Sequence, residues 1–142
     1  MQQQTYKNHA RIVPGYHVVT YLGLIALVIG SFVNLYNSSH DNLYSASLIC
    51  LASLLLCSVC VYARTFALKA QDRAIRAEEN FRHFMLTNRT MDSKLTLQQV
   101  IALRFASDDE FPALAQKAAN EKLAPKQIKQ RIKNWRGDYH RV

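Results

Sequence analysis

The residues most capable of chemistry in this 142-residue chain are a cysteine pair, five histidines and a run of basic residues near the C-terminus. Cys57 and Cys60 have the CxxC spacing that redox and metal sites use. They lie, however, in an apolar stretch, with no nearby basic group that would favour the reactive thiolate. We therefore interpret them as packing residues, and we predict no metal site, no cofactor site and no catalytic residue.

Histidines facing each other across two helices could hold a haem. In a helical hairpin centred on Ser39 and His40, however, Tyr62 and Ala63 fall opposite His17. The other histidines lie outside the apolar spans: His9, His40, His83 and His140. The sequence thus offers no intramolecular haem pair, and we interpret His9 and His83 as surface residues.

Two apolar stretches dominate the first half of the chain, and the predicted hairpin covers residues 18–63. No ionised side chain occurs between Arg11 and Asp41, and the next one after Asp41 is Arg64. Each gap is long enough to cross a bilayer. The polar turn at 37–42 is short enough to force the two spans to be antiparallel neighbours. The pattern therefore predicts a transmembrane helical hairpin.

The charge distribution predicts how this hairpin is oriented. The turn contains no Lys or Arg, whereas both flanking segments do. Because positive residues stay in the cytoplasm, we expect cytoplasmic termini, a cytoplasmic N-terminal segment at 1–17 and an external turn. The net charge of +8 then belongs to cytoplasmic flanks.

The second span continues without Pro or Gly to about Asn88, so the helix has no backbone reason to stop at the membrane surface. Residues 64–89 are predicted to be a cytoplasmic extension of it, and 90–142 a helical subdomain. A capping box at Thr96–Gln99 opens a helix to about Ala106, a second runs from Ser107 to about Leu123 with Asp109 as N-cap, and a third runs from Pro125 to Gly137. The predicted fold is an all-α membrane protein.

Small residues recur along both spans and along the extension. Gly23 and Gly30 are predicted to face Cys57 and Cys50, so that the two backbones touch. The extension carries a stripe at alternating spacings of three and four: Ala67, Ala70, Ala74, Ala77, Phe81 and Phe84. This stripe could pack on the chain's own helices or on a partner subunit. We expect the subdomain to cover the Phe81 end and another chain to meet the alanine end, with Glu78 paired to Arg82.

The predicted last helix is amphipathic. Its basic face would contain Lys126, Lys129, Lys133 and Arg136, and its apolar face Ile128, Ile132 and Trp135. Such a face can be simply solvated, or it can contact anionic lipid headgroups. RNA or DNA is a further alternative, although no base-reading pattern is visible.

Three segments together resemble a known family: residues 6–14, residues 102–112, and residues 125–129 with Asn134-Trp135 and Asp138-Tyr139. Along nearly its whole length the chain resembles an uncharacterised family of small two-span bacterial membrane proteins. The resemblance implies a Gram-negative inner membrane and no known activity, and it transfers no catalytic residue. Ala124 departs from expectation, because a capping Ser or Thr would precede Pro125.

The chain offers no nucleophile–base arrangement, no phosphate-binding glycine loop and no carboxylate at mid-membrane. We therefore predict a non-enzymatic scaffold or accessory subunit of an inner-membrane complex, in contact with lipid and with other subunits or copies of itself. One alternative is a cytoplasmic tether that binds anionic lipid, nucleic acid or ribosomes through the basic last helix. The other is a self-assembled pore.

Overall fold

The computed structural model describes residues 4–6, 8 and 12–139. The named elements of this part of the chain are all helices, with α1 at Tyr21–Tyr36, α2 at Leu43–Thr87, α3 at Leu97–Leu103, α4 at Phe111–Asn120 and α5 at Pro125–Arg131. The predicted all-helical fold is confirmed. Two compact units are formed. The hairpin unit is Ile12–Ala67, and the C-terminal unit combines the described residues of Met1–Arg11 and of Leu68–Val142.

In the hairpin unit, polar side chains mark the ends of the helices. A π-helical turn at Gly15–Thr20 precedes α1, and the Thr20 hydroxyl donates to the Gly15 carbonyl at 3.1 Å. At the other end, the Asn37 side-chain amide donates to the Val33 carbonyl at 2.8 Å. A 3₁₀ turn at His40–Asn42 leads into α2. The connection between the two helices is therefore confined to residues 37–42.

The longest element, α2, has 45 residues and no Pro or Gly. It is about 68 Å long at 1.5 Å per residue. It stops where Asn88 adopts a left-handed conformation with φ 53°, which is a common way to terminate a helix. By length and composition, the helical segments Gly15–Tyr36 and His40–Thr87 are each able to cross a membrane.

The hairpin helices touch through small and polar residues. Ser31, Ala46, Cys50 and Ser53 are buried, and the two serine hydroxyls lie 3.0 Å apart. The expected glycine contacts do not form: Gly23 and Gly30 are exposed, and a Cβ built on either would meet no heavy atom within 4 Å.

The predicted glycine contacts fail because α1 is rotated about its own axis relative to the predicted pairing. The less exposed side of α1 runs through Leu24, Val28 and Ser31, so each glycine lies one position before a contact residue. One position corresponds to about 100° around a helix. Counting residues outward from the turn predicts which residues of the two helices lie at the same depth. It does not predict which side of each helix faces the other.

In the C-terminal unit, α3, α4 and α5 enclose an apolar core. Phe105, Phe111, Leu103, Val100 and Ile128 are its largest fully buried side chains. The predicted capping box is confirmed, because the Thr96 backbone N–H donates to Gln99 Oε1 at 2.8 Å and the Gln99 N–H donates to Thr96 Oγ1 at 3.3 Å.

Four predicted helix boundaries are wrong. α3 ends at Leu103. α4 has Glu110 rather than Asp109 as N-cap, and it ends at Asn120 rather than near Leu123. α5 begins at Pro125 as expected but ends at Arg131. Beyond it the chain is extended and pairs with residues 105–107, where the Arg136 N–H donates to the Phe105 carbonyl at 2.8 Å. These backbone bonds replace the last helical turns.

Candidate functional site

The C-terminal part of α2 is fixed within its unit by one arginine. The Arg82 guanidinium donates to Asp108 Oδ1 from Nε at 2.7 Å, to Glu79 Oε2 at 3.0 Å and to the Ala106 carbonyl at 2.7 Å. Its Cζ also lies 4.4 Å from the centroid of the Phe111 ring, a cation–π geometry. One side chain thus joins α2 to the loop before α4 and to the core.

The exposed fractions of the side chains indicate which partner of Arg82 contributes most to stability. The Arg82 and Glu79 side chains are 10% and 8% exposed, whereas Asp108 is 64% exposed. An exposed ion pair contributes little, but a buried carboxylate without its partner is costly. The buried Arg82 and Glu79 side chains therefore mark the side of α2 that faces the subdomain. Ile75, one helical turn before Glu79, is buried on the same side.

The opposite side of α2 is an exposed apolar surface, which we call the α2 face: Ala70, Ala74, Ala77, Phe81 and Phe84. Phe81 is 66% exposed and Phe84 is 46% exposed, and the neighbouring Met85 is 64% exposed. The expectation that the subdomain covers the Phe81 end is therefore wrong. At 100° per residue, the centre of this face lies about 150° from the side that carries Ile75, Glu79 and Arg82.

Ala67, the first residue of the predicted stripe, belongs to the hairpin unit and is half-buried there. The expected Glu78–Arg82 pair is also corrected, because Arg82 pairs with Glu79 and Asp108. Glu78 and Arg73 are exposed, and neither makes an ion pair within the described residues. They flank the α2 face on its two sides.

The cysteines are arranged for packing. Cys50 is buried, Cys57 and Cys60 are half-buried, and all three are free. The Tyr16 hydroxyl donates to the Cys60 carbonyl at 3.0 Å, with Cys60 Sγ 3.4 Å away. Among residues 4–6, 8 and 12–139 no group of three or more side chains is placed to hold a metal ion.

His83 is a partly exposed surface residue. Its ring is half-buried, meets the Phe111 ring edge-on at 5.9 Å, and has Nδ1 2.9 Å from the Arg89 carbonyl oxygen. It lines an open groove of 690 Å³ with Thr87, whose hydroxyl donates to the His83 carbonyl at 2.8 Å. Both polar groups are thus engaged with backbone. His9 and His140 lie outside the described residues.

The basic face predicted for the last helix does not lie on one helix. Lys126 and Lys129 are on α5, but Lys133 and Arg136 follow its end. Lys129 is half-buried, with Nζ 5.6 Å from the centroid of the Phe105 ring. The Lys133 backbone N–H donates to Glu110 Oε2 at 3.0 Å. The helix ends too early for the four residues to align.

A second ion pair was not foreseen from the sequence. Arg104 Nε lies 3.0 Å from Asp138 Oδ2, and the Arg104 guanidinium stacks 4.6 Å from the centroid of the Phe105 ring. The Asp138 backbone in turn exchanges two hydrogen bonds with the Gln4 side chain, at 2.9 and 3.1 Å. Chain ends 134 residues apart meet here. A separation of that size leaves no local sequence signal, so only the fold could reveal it.

The described surface therefore presents the α2 face as its most distinctive unpartnered feature. Comparison with curated proteins and with solved structures finds no match. The sequence profile of a family of unknown function, DUF6526, matches residues 1–142. The chain therefore belongs to that family.

Proposed function

We propose that this member of a family of unknown function is a non-enzymatic accessory subunit or scaffold of a bacterial inner-membrane complex. The hairpin unit anchors it in the bilayer with both termini in the cytoplasm, and the α2 face binds another polypeptide. The observation that carries the proposal is the exposure of Phe81 and Phe84 on a helix whose other side buries Glu79 and Arg82 in the C-terminal unit.

Membrane anchoring is supported by the inverted polarity of the hairpin unit. Its buried residues include Ser31 and Ser53, whereas Leu22, Ile29 and Val59 are each about 60% exposed. In water this arrangement would leave a large apolar surface hydrated, which is unfavourable at about 25 cal/mol per Å². In a bilayer the same side chains contact lipid. Exposed Tyr36 and Tyr44 at the turn end suit the membrane–water interface.

A binding role for the α2 face is supported by its composition. Monomeric proteins rarely leave a contiguous apolar patch of this kind in water, and such patches mark interaction sites. Aromatic side chains contribute most to contacts of this type, and the alanines allow a second backbone to approach closely. The rigid attachment of α2 through Arg82 presents the surface without an ordering cost.

The two alternatives have less support. A tether for anionic lipid, nucleic acid or ribosomes relied on Lys126, Lys129, Lys133 and Arg136 forming one face of a helix, and α5 ends at Arg131, before Lys133 and Arg136. A self-assembled pore would need polar side chains facing a channel, whereas the buried serines of the hairpin bond each other and their own helices.

The test is a pull-down in mild detergent from the native membrane, comparing the wild type with Ala70→Glu. A carboxylate within the contact should release the partner and shift the protein to a smaller assembly. Ala113→Glu is the matched control, since Ala113 is exposed on α4, away from the face. An unchanged assembly in Ala70→Glu, by size and composition, would refute the use of this face.

A further inference from the structure

We propose that the partner of the α2 face is a second copy of this chain, paired in parallel as a short two-stranded coiled coil. This inference rests on the proposed function and adds the identity of the partner to it. It follows from three observations: the periodicity of the face, the two charges beside it, and the orientation that a shared membrane imposes.

The α2 face has the periodicity of a coiled-coil seam. Ala74 and Phe81 are seven residues apart, as are Ala70, Ala77 and Phe84, and the steps between the two series are four and three. This assigns Ala74 and Phe81 to heptad position a and the other three to position d. All five lie on one uninterrupted stretch of α2. Small residues at a and d favour a close pair of helices, which the two phenylalanines would extend with aromatic contacts.

The flanking charges select the partner. In this register Arg73 occupies position g and Glu78 occupies position e, and the two are five residues apart. In a parallel pair of identical helices, each g residue faces the e residue five positions later on the other helix. Arg73 of each copy therefore faces Glu78 of the other, giving two symmetric ion pairs. Neither residue makes an ion pair within the described part of its own chain, so both remain available.

Orientation is set by the bilayer. Two copies inserted with the same topology project α2 in the same direction, so a parallel pairing costs no rearrangement. An antiparallel pairing would need one copy to be inverted. In a parallel, in-register pair, every residue of the α2 face lies beside the same residue of the other copy. Disulfide cross-linking of single cysteines can detect this arrangement.

The first test is disulfide cross-linking in membranes. Single cysteines replace Ala70, Ala74 or Ala77 in a chain lacking Cys50, Cys57 and Cys60. Self-pairing predicts covalent dimers at all three positions, because each residue meets its counterpart. Arg76→Cys, on the exposed side away from the seam, is the control and should remain monomeric. Dimers at one seam position alone would indicate an antiparallel crossing and refute the parallel pair.

The second test keeps the native cysteines and alters only charge. Arg73→Glu or Glu78→Arg places like charges opposite each other twice per dimer, and each should weaken self-association about fivefold. The double variant Arg73→Glu with Glu78→Arg restores opposite charges and should return self-association to the wild-type level. A structural defect in either single variant would not be repaired by the second substitution. Failure of the double variant to recover would refute the pairing.

The outcomes separate this inference from the function on which it rests. Suppose that Ala70→Glu disrupts an assembly in which this chain binds only other polypeptides, and that the single cysteines on the α2 face give no dimers of this chain. The second-copy proposal is then wrong, and the accessory-subunit role remains. If Ala70→Glu changes nothing and no seam position cross-links to any chain, both proposals fail together.

Discussion

Replacing Arg82 with Met should open the C-terminal unit more than any other single change near α2. The substitution retains much of the side-chain volume but removes the guanidinium. The Glu79 side chain, which is only 8% exposed, then loses its arginine partner. Removing one partner of a buried pair costs about 3–5 kcal/mol. The site is slightly accessible, so we expect about 3 kcal/mol, which corresponds to a change of about 100-fold in the folding equilibrium.

The remaining contacts of Arg82 allow the magnitude to be checked by comparison. Asp108→Asn weakens only a partner that is 64% exposed, so it should cost less than about 1 kcal/mol. Arg76→Met is the control, because Arg76 is exposed on the same helix, and its effect should stay within about 0.5 kcal/mol. The double variant Glu79→Leu with Arg82→Met removes both charges together and should recover much of the lost stability.

The assay is urea unfolding of the full-length protein in detergent, followed by tryptophan fluorescence. Trp135 is the only tryptophan of the chain, and its ring lies 5.0 Å from that of Phe105 in the unit concerned. The expected order of stability is wild type, Arg76→Met and Asp108→Asn close together, then the double variant, then Arg82→Met. An Arg82→Met transition that coincides with the wild type, or an Asp108→Asn loss of equal size, would refute the assignment of the buried pair.

Three further predictions concern the rest of the molecule. Gly30→Leu should leave thermal melting of the detergent-solubilised protein unchanged, because a Cβ there meets nothing within 4 Å, whereas Ser53→Leu should lower it by overpacking a buried contact; equal melting of the two would contradict the observed helix faces. Single cysteines at Ser39 and Asn134 should differ in labelling by an impermeant thiol reagent on spheroplasts, with only Ser39 reacting; labelling at Asn134 would reverse the topology. The hydrogen bond from Arg131 holds the pKa of the Glu121 carboxyl below its ordinary value of 4.5. This interaction therefore contributes a small stabilisation above the pKa of Glu121 in the unfolded chain, and the stabilisation is lost as the pH falls through the pKa in the folded chain. Arg131→Gln should raise this pKa towards 4.5 in an NMR titration, and an unchanged titration would exclude Arg131 as the cause.

Local sequence signals predicted the elements well where a single mechanism determines them. The absence of Pro and Gly predicted a helix from Leu43 to about Asn88, and α2 ends at Thr87. The Thr96–Gln99 pattern predicted the start of α3, because a capping box satisfies backbone groups within four residues. Pro125 likewise predicted the first residue of α5.

The same local signals did not predict the features that depend on long-range contacts. The end of α5 depends on backbone pairing between residues 105–107 and 134–136, which helix periodicity cannot reveal. The choice of Glu79 over Glu78 as the partner of Arg82 depends on which side of α2 the subdomain occupies. Both carboxylates are within reach along an isolated helix, at i−3 and i−4. Periodicity located an apolar stripe on α2, but the side that is buried carries Ile75, Glu79 and Arg82 instead.

The most direct test of the central claim is site-specific photo-cross-linking in the native membrane. A photoreactive residue replaces Ala74, on the α2 face, or Arg76, which is exposed on another side of the same helix. We expect a discrete higher-mass adduct from position 74 and none from position 76. Its mass and peptide content would identify the partner as a second copy or another subunit. No adduct at position 74, or equal adducts at both positions, would contradict the claim that this face is where the protein binds.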